Sequence, residues 1–153
     1  MQWLRTAGYE HYEVSNFAKP GFRSRHNSSY WRGEKYLGLG PSAHSYNGTD
    51  RQWNIANNQQ YIRSINEHKI PAEKESLTAR DRLNEAIMIS LRTKEGLNLE
   101  YVEKVWGNEQ RNQLEKDLKQ FVDQNLVQPN GTTYSLTDKG MLRADGIAAV
   151  LFS

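Results

Sequence analysis

Cysteine is absent from the 153 residues. Disulfides, thiolate zinc sites, iron–sulfur ligation by this chain and cysteine nucleophiles are therefore excluded. A long apolar run is missing too: nothing approaches the ~20 consecutive apolar residues that a membrane-spanning helix needs. No basic stretch followed by an apolar stretch opens the sequence, so a secretory signal is not expected. These absences are compatible with a cytoplasmic protein. Charge of one sign is also lacking. Twenty Lys and Arg stand against 18 Asp and Glu, a formal net of +2. That is too near balance to mark a nucleic-acid protein by charge alone.

What is present is unevenly spread. Apolar residues are 37% and charged residues 25% of a 17.7 kDa chain. That suits one compact domain, or one domain with part of another. Residues 1–75 carry a net of +3 and residues 76–153 a net of −1. All four histidines, six of eight tyrosines and three of four tryptophans lie in the first part. The composition changes near Pro71–Ser76, so the expected domains are 1–75 and 76–153.

In the first part, residues 1–7 read as a helix tail stopped by Gly8. A helix already apolar at Trp3 and Leu4 suggests that more chain precedes it. Tyr9–Ser15 alternates as a strand does. Lys19-Pro20-Gly21 is a turn signal. Tyr36–Gly40 reads as a second strand, closed by Pro41; two glycines there suggest close approach of backbone or ligand. Asn57 or Asn58 caps a short helix carrying Tyr61, Ile62 and Ile65, which Ile70-Pro71 ends. Two strands and a helix do not close a sheet. The choices are a small α+β unit or the last strands of a larger barrel.

The second part reads as a winged-helix order. Thr78 and Asp81 resemble a capping box ahead of Leu83, Ala86, Ile87 and Leu91. Asn98 caps a second helix. A third runs from about Glu109 to Gln124. Leu126–Gln128 and Thr133–Leu136 form a hairpin about an Asn130-Gly131 turn. Thr137 caps a final helix. A third helix in such a domain often enters the DNA major groove. Here its charges are mixed and the hairpin turn has no Lys or Arg, whereas phosphate neutralisation needs a basic face. A non-enzymatic DNA-binding regulator is the alternative function, with packing or partner binding favoured over it.

Three clusters could carry chemistry. Arg25-His26-Asn27-Ser28-Ser29-Tyr30-Trp31 sets an imidazole beside an amide and two large aromatics, which suits a planar ligand or haem iron. It equally suits packed, hydrogen-bonded residues. Gly38-Leu39-Gly40-Pro41-Ser42-Ala43-His44-Ser45 places small residues at a strand end, where α/β barrels hold their sites; a tight turn explains the glycines as well. Ala43 takes the third glycine position of a dinucleotide fingerprint, so that motif is not met. In Tyr12–Ala18, Glu13 and Ser15 share one side of a strand, facing either a ligand or solvent.

Several of these stretches together resemble a known family. Gly8-Tyr9, Tyr12–Ala18, His26-Asn27-x-x-Tyr30-Trp31 and Tyr36-Leu37-Gly38-Leu39-Gly40-Pro41-x-Ala43-His44-Ser45 are similar to the oxygen-independent coproporphyrinogen III oxidases of the radical S-adenosylmethionine proteins. Glu85–Arg92, Glu95-Gly96-Leu97 and Leu136-Thr137-x-x-Gly140 resemble that family's C-terminal helical domain. The His-Asn-x-x-Tyr-Trp element is most similar to the haem-chaperone (HemW-like) branch. The resemblance implies an α+β chain: the last strands of an incomplete (β/α) barrel, then a mostly helical winged-helix-like domain. It implies S-adenosylmethionine and a 4Fe–4S cluster in the full-length protein, an oxidoreductase by resemblance. The C-x-x-x-C-x-x-C loop that holds the cluster is missing here, so a C-terminal fragment, inactive alone, is expected. Gly38, Gly40, Ala43 and His44 are implied to lie near the S-adenosylmethionine or substrate end of the barrel. His26, Asn27, Tyr30 and Trp31 are implied to bind haem. Ser42 departs from the family's usual glycine. The implied partners are haem or porphyrin and haem-accepting proteins, without nucleic acid. Unpaired barrel strands suggest self-association.

Overall fold

The structure, a computed structural model, describes residues 1–153. Helix α1 (Gln2–Thr6) ends as its sequence suggests. Gly8 takes φ +78° and turns the chain into β1 (Glu10–Glu13). A Cβ strains at that φ, so glycine is the residue that fits. β1 pairs antiparallel with β2 (Asn16–Ala18), a strand that the sequence did not announce. The Lys19-Pro20-Gly21 turn follows, and the Phe22 amide donates to the Lys19 carbonyl at 2.9 Å. The polar–aromatic stretch forms a helix, α2 (Arg25–Trp31). The Ser24 hydroxyl accepts from the Asn27 amide at 3.2 Å and so satisfies one of its free donors.

The strand expected over Tyr36–Gly40 does not form. Tyr36 makes only a bridge with Tyr46, and Gly38–Gly40 runs as a loop. The reason is local: Gly40 takes φ +98°, and Gly38 lies so close to the His44 carbonyl that no Cβ would fit. The strand comes later, as β3 (His44–Tyr46). β3 pairs with β4 (Asp50–Asn54), and after α3 (Asn58–Asn66) β4 also pairs with β5 (Ala72–Ser76). The sheet is antiparallel, in the order β3-β4-β5. Asn57 caps α3, accepting from the Gln60 amide at 3.0 Å.

Most of the core comes from the rest of the chain: α4 (Ala79–Arg92), β6 (Leu97–Asn98), α5 (Leu99–Trp106) and α6 (Asn108–Asp123). There follow β7 (Val127–Asn130), β8 (Thr133–Leu136), α7 (Asp138–Met141) and α8 (Ala144–Leu151). Leu83, Ile87 and Leu91 of α4 meet Val102, Leu118 and Ile147 in one buried cluster. Burial of such side chains stabilises by about 1.5–3 kcal/mol each. The sheet order is β6-β8-β7, which leaves β7 at an edge. Pro129 is therefore tolerated inside β7, opposite Tyr134, because an edge strand has a row of N–H groups to spare. The hairpin loop is Gly131-Thr132, and Gly131 takes φ +61°. The single final helix expected after Thr137 is two, α7 and α8, broken at Leu142–Arg143.

The first residues join this last part. The Val14 amide donates to the Arg92 carbonyl, and the Lys94 amide to the Tyr12 carbonyl, both at 3.0 Å. Two compact units result: 1–32 together with 79–153, and 33–78. The fold is α+β.

Candidate functional site

The β1–β2 turn is built around Glu13, which is 1% exposed. Its carboxylate accepts from the Ser15 amide at 2.9 Å, from the Asn16 side-chain amide, and from Arg92 Nε at 3.0 Å. Both carboxylate oxygens are thus engaged inside the protein. Glu13 is shut inside the turn whereas Ser15 lies beyond β1 and is exposed, so the two do not share one side of a strand as the pattern suggested. Arg92 also pairs with Asp145 at 2.6 Å, and its guanidinium lies 5.6 Å from the Trp31 ring centroid. This network fixes α2 against the end of α4.

A second network flanks it. Arg23 donates to Glu10 at 2.7 and 2.9 Å and to Glu95 at 2.7 Å, and Lys94 reaches Glu10 at 2.8 Å. The hydrogen bonds from Arg23, then those from Lys94, hold the Glu10 carboxyl down at about 2. The Arg23 guanidinium is correspondingly held above its ordinary value, chiefly by Glu10. His11, buried beside them, has both nitrogens engaged, by the Val14 carbonyl and by Arg5. It is a packing residue, stacked on Phe17 at 4.0 Å.

The four residues of the His-Asn-x-x-Tyr-Trp element all lie on α2, but on different faces. His26 and Tyr30 are exposed neighbours one turn apart, their rings edge to face at 5.0 Å. Asn27 is half-buried. Trp31 turns inward, and its indole Nε1 is buried without a hydrogen-bond partner. A cavity of about 370 Å³ adjoins Trp31, lined also by Tyr12, Arg23, Arg25, Ser28, Arg32, Thr93 and Glu95. Arg25, Ser28 and Arg32 follow the i, i+3, i+7 spacing of one helix face. The missing apolar periodicity hid this helix, and with it the cavity.

The glycine loop belongs to the other unit. Buried Asn54 ties it down, donating to the Gly40 carbonyl at 2.9 Å and the Gly38 carbonyl at 3.5 Å. The Gly40 amide donates to the Tyr61 hydroxyl at 3.3 Å, and the Gly38 amide to Ser45 Oγ at 3.0 Å. Space is open above Gly40, where an added Cβ would meet nothing within 4 Å. His44 is exposed, 6.4 Å from the Trp53 ring. With Ser42, Trp53 and Glu73 it lines a cavity of about 540 Å³. Ala43 is half-buried between them, its carbonyl accepting from the Asn54 amide at 2.9 Å.

Residues 77–143 match the family model of the HemN C-terminal domain. A haem chaperone HemW of Lactococcus lactis is 32% identical over 140 residues, 92% of this chain and 37% of that protein. HemW of Mycobacterium tuberculosis is 34% identical over 149 residues, 97% of this chain and 36% of that protein. The chain belongs to the HemN/HemW-like radical SAM family and matches its C-terminal portion. It spans a little over a third of the length of these relatives. The solved structure of the coproporphyrinogen III oxidase HemN from Escherichia coli, a radical SAM enzyme, superposes with a TM-score of 0.76 at 21% identity, over 99% of this chain and 39% of that one. That likeness concerns the fold.

Membership implies S-adenosylmethionine and an iron–sulfur cluster in full-length relatives. The cluster does not fit the residues present: the chain has no thiolate, and nowhere do three or more His, Asp or Glu converge to hold a metal ion. Of the residues implied for S-adenosylmethionine, His44 lines the cavity of the 33–78 unit, whereas Gly38 and Gly40 do not. The DNA-binding alternative is not favoured. Arg111 of α6 is engaged by Glu115 at 3.2 Å and Glu103 at 3.9 Å, and the Gly131-Thr132 loop carries no cation. No helix is long and apolar enough to cross a membrane.

Proposed function

We propose that this chain is the haem-handling portion of a HemN/HemW-like protein, and that it binds haem through α2 and delivers it to an accepting protein. One observation carries this reading: His26 and Tyr30 stand together on the exposed face of α2, with the imidazole unburied and free to approach a ligand. A neutral imidazole is a good ligand for haem iron, and an adjacent ring can flank the macrocycle. Asn27 and Trp31 complete the motif from the half-buried side. The names of the relatives, which are haem chaperones over more than nine-tenths of this chain, support the same reading.

The rest of the family pattern follows as part of this proposal. Residues 1–75 correspond to the last strands of the radical SAM barrel, and residues 76–153 to a winged-helix-like domain; the helices α4–α6 and the β6-β8-β7 sheet have the order such a domain needs. Gly38, Gly40, Ala43 and His44 form the S-adenosylmethionine or substrate end of the barrel. The chain alone generates no radical. Haemin titration tests the central claim. The Soret band is expected to shift on binding, and the His26→Ala variant, folded by circular dichroism, is expected to lose that shift. The same shift in both proteins would remove His26 as the ligand.

A further inference from the structure

The chain holds two Asn-Gly pairs, Asn47-Gly48 and Asn130-Gly131. Glycine after asparagine leaves its backbone nitrogen open to the asparagine carboxamide, because no Cβ stands in the way. Both asparagines are exposed, so access to solvent does not separate them. Their hydrogen bonds do. Asn47 Oδ1 accepts from the Thr49 amide at 2.9 Å, the Asp50 amide at 2.7 Å and the Thr49 hydroxyl at 3.1 Å. Its Nδ2 donates to Asp50 at 2.9 Å. Both polar atoms of that side chain are thus held inside their own turn. Lys35 also lies over Gly48, where an added Cβ would meet its side chain at 3.2 Å.

Asn130 is the opposite case. Its backbone pairs with Thr133, so the loop is Gly131-Thr132 and the Asn130 carboxamide takes no part in the turn. That carboxamide has no hydrogen-bond partner. Gly131 is exposed at the hairpin tip, and its amide donates to no backbone carbonyl. An added Cβ there would meet nothing within 4 Å. A free carboxamide carbon therefore adjoins a free backbone nitrogen, with open space around both.

We infer that Asn130-Gly131 is a modification site at which the chain converts its own carboxamide to an acid, whereas Asn47-Gly48 is kept as the amide. The Gly131 nitrogen bonds to Asn130 Cγ, and the Cγ–Nδ2 bond breaks. The Gly131 amide proton leaves with Nδ2 as ammonia, and a cyclic imide remains. Water then opens the imide at either carbonyl. One opening gives aspartate; the other gives isoaspartate, with an extra methylene in the backbone. Water is the co-reactant, and no electrons change hands. Either product adds a negative charge to the hairpin tip. Isoaspartate also displaces Thr132, whose carbonyl accepts from the amide of buried Leu99 at 2.9 Å, at the start of α5. None of this involves His26 or haem, so it stands apart from the function proposed above.

For the test, the whole chain is incubated at body temperature and mildly alkaline pH, both folded and unfolded in urea. Trypsin then places the two pairs on separate peptides. Mass spectrometry counts the acid at each, and electron-transfer fragmentation separates aspartate from isoaspartate. In the folded chain Asn130 is expected to convert at least about tenfold faster than Asn47, whose contacts must break before its carboxamide can turn. In urea the two rates should come together. Asp50→Ala, which frees Asn47 Nδ2, is expected to speed conversion at Asn47 and leave Asn130 unchanged. Gly131→Ala should slow Asn130 severalfold. The inference is overturned if Asn47 converts as fast as Asn130 in the folded chain. It is overturned equally if the folded chain converts at neither pair while the unfolded chain does, or if urea leaves the ratio unchanged. Protein rich in isoaspartate should melt below the Asn130→Asp variant, which has the charge without the added methylene; equal melting would refute the link to α5.

Discussion

Glu10 shows how a single residue sets the acid stability of the β1 edge. Its carboxyl drops from an ordinary 4.5 to about 2 because Arg23, and then Lys94, donate to it. A depressed carboxylate pKa means that the folded protein favours the ionised form. The stabilisation is therefore complete above pH 4.5 and disappears as the pH falls towards 2. The side chain is 24% exposed, so solvent screening cuts the contribution to about 1 kcal/mol. Glu10→Gln is expected to lower urea-unfolding stability by that amount at pH 7, with the gap to the parent closing between pH 4.5 and 2. A gap that stays constant across this interval would contradict the assignment. Glu13, three residues on, acts differently. It is shut inside the turn, where its carboxylate gathers the Ser15 and Asn16 donors and so makes the chain reverse without a glycine.

At the scale of elements, the Leu136-Thr137-x-x-Gly140 spacing has a mechanical explanation. Thr137 Oγ accepts from the Gly140 amide at 3.2 Å and donates to the Asn125 carbonyl at 2.8 Å, which pins α7 to the end of α6. Gly140 then passes so close to the Leu126 carbonyl that an added Cβ would overlap it. The obstacle is backbone and cannot rotate away. Gly140→Ala is accordingly expected to destabilise by about 2–3 kcal/mol, despite alanine's better helix propensity, and thermal unfolding measures it. An unchanged or raised Tm would show that α7 can shift freely. Caps of this kind were the most legible part of the sequence: Asn57, Asn98 and Thr137 each accept from the amide three residues on. The α4–α6 periodicity was legible for the same reason, since it is a local rule, and so was the hairpin, although its loop is Gly131-Thr132 and Asn130 pairs with Thr133 instead of turning. β4 and β5 were not, because Arg51-Gln52-Trp53 and Ala72-Glu73-Lys74-Glu75-Ser76 have no apolar alternation; pairing alone makes them strands. The helix under the haem-type motif was hidden likewise. Ser28 and Ser29 are poor helix formers and no apolar stripe marks the face that turns inward. The residues of that motif were visible in the sequence, but their division between an outer and an inner face was not.

For the molecule as a whole, the apolar side chains left on the surface are telling. Trp3 is 91% exposed, Leu39 82% and Phe22 80%. Scattered apolar residues are ordinary on a protein surface, but side chains this large at near-complete exposure favour association. Light scattering after size-exclusion chromatography is expected to give a mass that rises above 17.7 kDa with concentration. A constant monomer mass over a roughly hundredfold range of loading would remove self-association. The pairing of the β1–β2 hairpin with the end of α4 has a temporal consequence as well. Glu13 and Arg92 are 79 positions apart, and one compact unit is assembled from both ends of the chain with 33–78 between them. During synthesis, at roughly 5–20 residues per second, the hairpin must therefore wait several seconds for its partner to leave the ribosome. Throughout that delay Glu13 is without the Arg92 guanidinium that later closes over it.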